Sequence, residues 1–206
     1  MALANYSDLK SAVASYLARS DLTSQIPDFI RLAEIRLRRD LRIRQMLKNA
    51  TTATTSGDST VGLPSDFLEL RDIFIQDDPE QIVNFLSPSM FHRNARATEA
   101  GEPVNYTIIG EELQFAPIPD DAYTVQMLYF YAPTFLSDAN TTNLFTTNAP
   151  DLLLYASLLE AEPYLMNDAR ITVWASMYDR GLNALKVTDD RGQYSATPMA
   201  MTVARR

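Results

Sequence analysis

The sequence NAPDLLLYASLLEAEPYL at residues 148–165 predicts a core helix. Asn148 can cap the first free amides, Pro150 fits the first turn, and Asp151 faces the positive end of the helix dipole. The apolar positions that follow form a broader surface than a lone surface helix needs. These positions are Leu152, Tyr155, Ala156, Leu159 and Ala161. The segment is therefore expected to pack on more than one side.

A second helix is predicted directly after this one. Pro163 disfavours helical geometry at Glu162, so the first helix ends or kinks there. The helix restarts at Asn167 or Asp168, and its apolar residues recur at three- and four-residue steps. Those residues are Ile171, Trp174, Ala175, Tyr178, Leu182 and Leu185. Residues 134–187 are thus predicted to hold a C-terminal helical pair, with a loop before it.

Residues 1–44 predict an N-terminal helical pair. Ser7 is the predicted N-cap of the first helix, which runs to about Arg19. The second helix is predicted from near Ser24 to about Arg42. Its apolar stripe is Ile26, Phe29, Ile30, Ala33, Leu37 and Leu41. We expect the two helical pairs to pack together as one bundle, because each has an apolar face to bury.

Residues 45–133 predict an antiparallel β unit inserted between the helical pairs. Their strands are indicated by β-branched and aromatic residues, and Gly110-Glu111 has the composition of a hairpin turn. The predicted strands are Phe67–Gln76, Asn105–Ile109, Glu112–Ala116 and Tyr123–Tyr131, with an exposed strand within Ala50–Thr60, a turn at Gly57-Asp58 and a short helix at Ser87–Ala97. The predicted fold class is therefore α+β, with a helical bundle and an inserted β unit.

Arginines are concentrated on the second predicted helix and just after it. They are Arg31, Arg36, Arg38, Arg39, Arg42 and Arg44. A solvated helix face is one interpretation, since cations suit the negative C-terminal end of a helix. A salt-bridged interface with a neighbouring subunit or another protein is the second. Contact with a nucleic-acid backbone is the third. The sequence leaves all three open.

Residues 188–206 have no helical stripe and no strand alternation. A polar segment of this kind cannot bury enough apolar surface to fold by itself. The sequence therefore predicts an extended C-terminal tail that is either disordered or ordered by a partner.

The composition restricts the possible functions. The chain has 206 residues, no cysteine, one histidine and a formal charge of −8. Without cysteine it has no disulfide, thiolate nucleophile or cysteine-based metal site. The negative charge argues against a nucleic-acid-binding surface overall, because phosphate contacts need clustered cations. No apolar run approaches the roughly 20 residues that cross a bilayer, and we expect neither a membrane segment nor a secretory signal.

No catalytic group, cofactor or metal site is predicted. His92 has no acid near it in sequence that could orient it as a base, and the six glycines form no phosphate-binding loop. Paired acids could in principle cleave a glycosidic bond. The visible pairs are Glu111-Glu112 and Glu160 with Glu162, but their spacing points the side chains apart. A non-enzymatic protein is the prediction.

Several segments in order resemble head-to-tail adaptor proteins of tailed bacteriophages. They are Tyr6-Ser-Asp-Leu, residues 21–34, residues 36–45, Leu63-Pro-Ser-Asp-Phe-Leu-Glu-Leu-Arg, Tyr106-Thr-Ile-Ile-Gly-Glu-Glu-Leu and residues 148–161. The resemblance covers most of the chain, and it lies in the overall residue pattern of these segments, not in a catalytic motif.

The resemblance implies a structural protein of the virion neck, made in the host cytoplasm. Such adaptors form a ring, usually of twelve copies, beneath the portal protein, and present a surface to the next tail or nozzle protein. The genome DNA passes through the ring without sequence-specific binding. On this basis residues 188–206 become the portal-contacting arm, and the six arginines an intersubunit or DNA-channel surface. The arm's contact residues would be Tyr194, Met199, Met201, Val203, Arg205 and Arg206.

An enzymatic alternative also follows from the resemblance. Some related short-tailed phage adaptors are associated with cell-wall cleavage, and the acid pairs supply the residue type that this reaction needs. The alternative function is therefore a peptidoglycan-cleaving phage tail component, a glycoside hydrolase.

Overall fold

The computed structural model describes residues 3–76, 80–94, 99–165 and 168–194. The chain divides into two compact units. The helical unit joins the N-terminal 45 residues to the chain from Pro133 onward, and the β unit is Met46–Ala132. Seven α-helices and eight strands lie within the described ranges, which confirms the predicted α+β class. None of the described helices is both long and apolar enough to cross a membrane.

The helices surround α5 in the helical unit. Their bounds are α1 Tyr6–Leu17, α2 Ile26–Asp40, α3 Pro88–Asn94, α4 Leu144–Asn148, α5 Pro150–Glu160, α6 Glu162–Leu165 and α7 Ile171–Tyr194. All but α3 belong to the helical unit. α5 contacts α1, α2, α4 and α7, and six of its eleven residues are buried. The broad apolar surface that the sequence predicts for this helix is therefore buried against several neighbouring helices.

The helix starts differ from the predicted ones. Asn5, not Ser7, caps α1, and its side chain accepts a hydrogen bond from Asp8 N–H (2.9 Å). Asn148 is the last residue of α4, so Ala149 precedes α5. The sequence predicted a loop before Asn148, but Asn143 starts α4 with a capping box, in which its side chain and that of Thr146 bond each other's backbone amides.

The C-terminal helix is longer than predicted. α7 continues to Tyr194, so the expectation of an extended tail from Thr188 is wrong for residues 188–194. A contact distant in sequence explains the difference, because buried Asp189 accepts a hydrogen bond from the backbone N–H of Arg44 (3.0 Å). Residues 195–206 lie outside the described residues.

The β unit contains two four-stranded sheets. The strands are β1 Leu47–Ala53, β2 Thr60–Gly62, β3 Phe67–Ile75, β4 Gln81–Ile82, β5 Asn84–Phe85, β6 Asn105–Ile109, β7 Glu112–Ala116 and β8 Thr124–Tyr131. One sheet has the order β1-β8-β3-β4 and the other β2-β7-β6-β5. Every pair is antiparallel except β5 with β6, which is parallel. The prediction of an antiparallel unit is therefore wrong for that pair.

The core of the β unit lies between its two sheets. Ile73 and Ile75 from β3 are buried in one cluster with Leu113 and Phe115 from β7. β8 adds Tyr129, whose hydroxyl reaches Asp66 Oδ1 at 2.8 Å. β3, β7 and β8 thus bury alternate residues in the core.

The β6–β7 hairpin has the predicted boundaries. Asn105 pairs with Ala116 and Ile109 with Glu112, which leaves Gly110-Glu111 as the turn. Gly110 has a φ of 64°, a conformation that L residues adopt at a cost. Glycine is needed here for its backbone freedom.

We expect Gly110→Ala to lower the free energy of unfolding by about 1 kcal/mol, because the alanine Cβ is strained at positive φ. Gly62→Ala is the matched control, because Gly62 also has open space around a new Cβ but no positive φ. Urea denaturation of the two variants measures the difference. Equal losses would contradict the assignment of the cost to backbone strain.

Candidate assembly site

The six arginines of the sequence prediction lie on α2 and directly after it. Five of them contact other groups of the helical unit. The contacts form three clusters along α2, each of which involves residues distant in sequence.

The first cluster is a stack around Phe135. The guanidinium carbons of Arg31 and Arg38 lie 3.1 and 3.3 Å from the centre of its ring. Two groups cannot occupy one face at those distances, so the ring is held between them. Arg38 also donates from Nη2 to the carbonyl oxygen of Pro133. Cation–π contacts of this kind contribute most where the cation is partly desolvated, as Arg38 is here.

A buried carboxylate lies beside this stack. Glu34 is 1% exposed and accepts hydrogen bonds from Leu136 N–H, at 3.0 and 3.2 Å to its two oxygens. Asn143 Nδ2 donates to Glu34 Oε1 at 2.6 Å. Burial raises the pKa of Glu34, against the opposing effect of these donors and of Arg38 and Arg31. The carboxylate therefore binds two points of the returning chain to α2.

The second cluster joins α2 to the two long C-terminal helices. Arg36 Nη2 lies 2.6 Å from Glu160 Oε1 at the end of α5. One turn on, Asp40 Oδ2 accepts a hydrogen bond from the hydroxyl of Tyr178 on α7 (2.7 Å). Burial, and then the bond to Asp40, raises the pKa of Tyr178. Arg36 and Asp40 thus connect one helix to two others.

The third cluster lies where α2 ends. Arg42 Nη1 donates to the carbonyl oxygens of Arg38 and Leu41, both at 2.7 Å, which satisfies C-terminal carbonyls of the helix. Arg44 Nε lies 3.7 Å from the buried carboxylate of Asp189. The guanidinium of Arg44 also lies against Gly192, where an added Cβ would collide with it. Arg44 therefore fixes the last turns of α7.

Arg39 differs from the other five arginines. It is exposed, and it makes no ion pair with any residue that the structure describes. Arg31 and Arg44 are exposed as well, but Arg31 contacts Phe135 and Arg44 lies near Asp189. The intersubunit and DNA-channel roles of the whole set stay predictions.

The residues predicted to contact the portal are largely outside the described part of the chain. Tyr194 is the last residue of α7, and the structure describes its backbone but not its side chain. The remaining five, Met199, Met201, Val203, Arg205 and Arg206, lie beyond residue 194.

Sequence reasoning missed the acidic and aromatic partners of the arginines. Phe135 and Asp189 are separated from their arginine partners by up to 145 residues, so no local pattern pointed to them. One signal was present for Glu34, because it is an acid four residues before Arg38 on a helix that faces the core.

The two acid pairs of the enzymatic alternative belong to different units of the chain. Glu160 is paired with Arg36 in the helical unit. Glu111 and Glu112 are exposed on the β6–β7 hairpin. The described residues contain no group of three or more potential metal ligands. His92 is exposed on α3, and its ring centre lies 5.9 Å from that of Phe91.

The chain matches a protein-family model described as SU10 adaptor protein, over residues 4–202. A search of curated proteins gives no match.

We expect the stability of the protein to depend on pH through Glu34. Its folded-state pKa is raised above the ordinary value of 4.5, so the folded state loses stability as pH rises through and above that value. Glu34→Gln cannot ionise. Urea denaturation from pH 4 to 7 should therefore show the wild type losing stability relative to Glu34→Gln.

Glu112→Gln, which removes an exposed carboxylate from β7, is the control for the loss of one charge. If the free energies of unfolding of the wild type and Glu34→Gln changed in parallel with pH, ionisation of Glu34 would not destabilise the folded state, and the prediction would be wrong.

We expect Gly192→Ala and Arg44→Ala to be non-additive. Alanine is favoured over glycine in a helix by about 1 kcal/mol. In the wild-type background this gain is cancelled, because the new methyl group displaces the Arg44 guanidinium from Asp189. In the Arg44→Ala background the gain is realised. A double-mutant cycle by thermal denaturation should give a coupling energy of about 1 kcal/mol, and additive effects would contradict the contact.

Proposed function

Because the chain belongs to the SU10 adaptor protein family, a family of phage head–tail adaptors, we propose that it forms a ring beneath the portal protein and continues the DNA channel. The match over nearly the whole chain supports this proposal. Twelve copies in the ring would follow the usual symmetry of such adaptors. The protein would then lie in the neck of the virion, with the portal on one side and a tail or nozzle protein on the other.

We assign the ring-forming role to the helical unit, in which the N-terminal and C-terminal helical pairs form the bundle. Its arginines are mostly engaged within the subunit, as the Phe135 stack and the pair of Arg36 with Glu160 illustrate. Such a unit keeps its shape on assembly, which limits the entropy lost when copies associate. Arg39, exposed on α2, is the arginine we assign to a neighbouring subunit or to the channel.

We assign the portal contact to the last residue of α7 and to the residues that follow it. Tyr194, Met199, Met201 and Val203 supply apolar anchors, and Arg205 and Arg206 supply charge. The contact of Arg44 with Asp189 fixes the helix from which this segment continues. Twelve residues beyond α7 can extend over about 40 Å, enough to reach along a neighbouring protein.

The charge of the chain suits passage of DNA without binding. With a net charge of −8, the protein repels phosphates on average, and the genome is not held in place. Membership of an adaptor family implies a structural role for the protein. The acids named for peptidoglycan cleavage add no support for an enzyme, because Glu160 is bound to Arg36 and the other pair lies on a hairpin.

Truncation after Tyr194 tests the portal assignment. The shortened chain keeps every described element, so we expect it to melt like the full-length protein but not to form stacked rings with purified portal in negative-stain images. Full-length protein should form those rings. Rings formed equally well by the truncated chain would overturn the assignment of the C-terminal segment.

A second truncation, after Val187, is the control for folding. It removes the buried carboxylate of Asp189 together with the last residues of α7, and the loss of its hydrogen bond to Arg44 N–H should lower the melting temperature. If the full-length protein and the purified portal remained separate particles at micromolar concentration, the result would count against the adaptor function itself.

A further inference from the structure

The last two turns of α7 are helical although their sequence opposes it. Residues 187–194 read VTDDRGQY, in which threonine, aspartate and glycine are all poorer helix formers than alanine. Asp189 and Asp190 also place two carboxylates about one turn from the C-terminal end of the helix, where negative charge is unfavourable. The local sequence therefore favours an open chain, and contacts outside this segment stabilise the helix.

Apolar packing contributes little to these two turns. Earlier in α7, the aromatic side chains of Trp174 and Tyr178 are buried. From 186 to 191, every side chain is exposed except that of Asp189, which is 5% exposed. A segment that buries few apolar groups opens at a lower free energy than the core of the fold. The end of α7 is thus attached through a polar side chain and not through an apolar face.

Arg44 supplies a polar attachment for these turns. Asp189 Oδ1 accepts a hydrogen bond from Arg44 N–H at 3.0 Å, and Arg44 Nε lies 3.7 Å from the same oxygen. One turn on, Gly192 lies against the Arg44 guanidinium, in a space too small for an added Cβ. Arg44 is in a short 3₁₀ turn after α2. The contact therefore joins the end of α7 to a part of the chain 145 residues earlier.

We propose that residues 187–194 form a conditional helix, which is closed while Asp189 is bound to Arg44 and opens when this contact breaks. Opening needs less free energy than unfolding of the helical unit, because local sequence preference favours the open chain. When it opens, the C-terminal segment begins at residue 188 instead of residue 195. Nineteen residues then extend over about 60 Å, whereas the twelve beyond Tyr194 extend over about 40 Å.

The use of the open form rests on the proposed adaptor function. In that function the portal binds the open form, because the longer segment covers more of the portal surface. A partner that binds only one of two forms shifts the population towards it, and its apparent affinity depends on the fraction already in that form. The contact between Asp189 and Arg44 thus determines how much of the protein is competent to bind. The opening of the helix itself does not depend on the identity of the partner.

Hydrogen–deuterium exchange of the free full-length protein, resolved by residue, tests the opening. The amides of residues 190–194 should exchange at least about 100-fold faster than those of residues 178–185, because the first group exchanges through local opening. Equal exchange rates in the two segments would show that α7 opens only when the whole unit unfolds, and would overturn the proposal.

Two alanine substitutions separate the contact from local helix preference. Asp189→Ala and Asp190→Ala each replace an aspartate of α7 with the best helix former and remove one charge. Asp189→Ala also removes the acceptor of the Arg44 N–H, so it should speed exchange of residues 190–194 about tenfold. Asp190→Ala, at an exposed position, is the matched control and should slow that exchange. Slower exchange in both variants would show that local preference alone decides, and would overturn the proposal.

Residues 178–185 report whether each variant keeps its fold, and they should exchange at the wild-type rate. If Asp189→Ala speeds their exchange as well, Arg44→Ala takes its place. That variant removes the guanidinium beside Asp189 but keeps the backbone donor, and it should speed exchange of residues 190–194 alone. Unchanged exchange of residues 190–194 in Arg44→Ala would then overturn the proposal.

Titration of purified portal with the same variants tests the use of the open form. Asp189→Ala should bind the portal about tenfold more tightly than the wild type, by the factor that it adds to the open population, and Asp190→Ala should bind more weakly. The opposite order, or equal affinities, would overturn the link between opening and portal binding. If the wild type does not bind the portal while the exchange results hold, the adaptor function fails and the conditional helix stands.

Discussion

The buried carboxylate of Glu34 is the constraint on which the helical unit most depends. An ionised carboxylate at 1% exposure is costly unless donors surround it. Its donors, the backbone of Leu136 and the side chain of Asn143, come from the chain that returns from the β unit. Asn143 also starts α4, which leads directly into α5. The requirement to satisfy one charge therefore determines where the returning chain lies on α2.

The arginines on and directly after α2 make further contacts of this kind with residues distant in sequence. A cluster of cations in an acidic chain invites an explanation by an external partner, such as DNA. In this structure the partners are mostly internal, because Arg36 meets Glu160 and Arg44 meets Asp189. Much of the positive charge is thus neutralised before any neighbour arrives. Little of the positive charge of these arginines is left for a partner, and the clearest example is the exposed Arg39.

Local signals in the sequence predicted the fold where short-range chemistry decides it. The β6–β7 hairpin follows from Gly110, which supplies the positive φ of the turn, and α5 follows from its apolar run and Pro150. Local signals did not predict the elements that depend on contacts between residues distant in sequence. α4 depends on Asn143, whose side chain is also bound to Glu34, and the end of α7 depends on Asp189. The concentration of arginines was visible in the sequence, but their partners across the fold were not.

One outer edge of the β unit is protected by its composition. β1, at one end of its sheet, has the sequence LKNATTA, which is polar and carries Lys48 in an ion pair with Asp66. Polar side chains and lysine are common protection against unwanted strand addition. The composition of β1 therefore lets this edge of the sheet stay exposed without pairing with another chain.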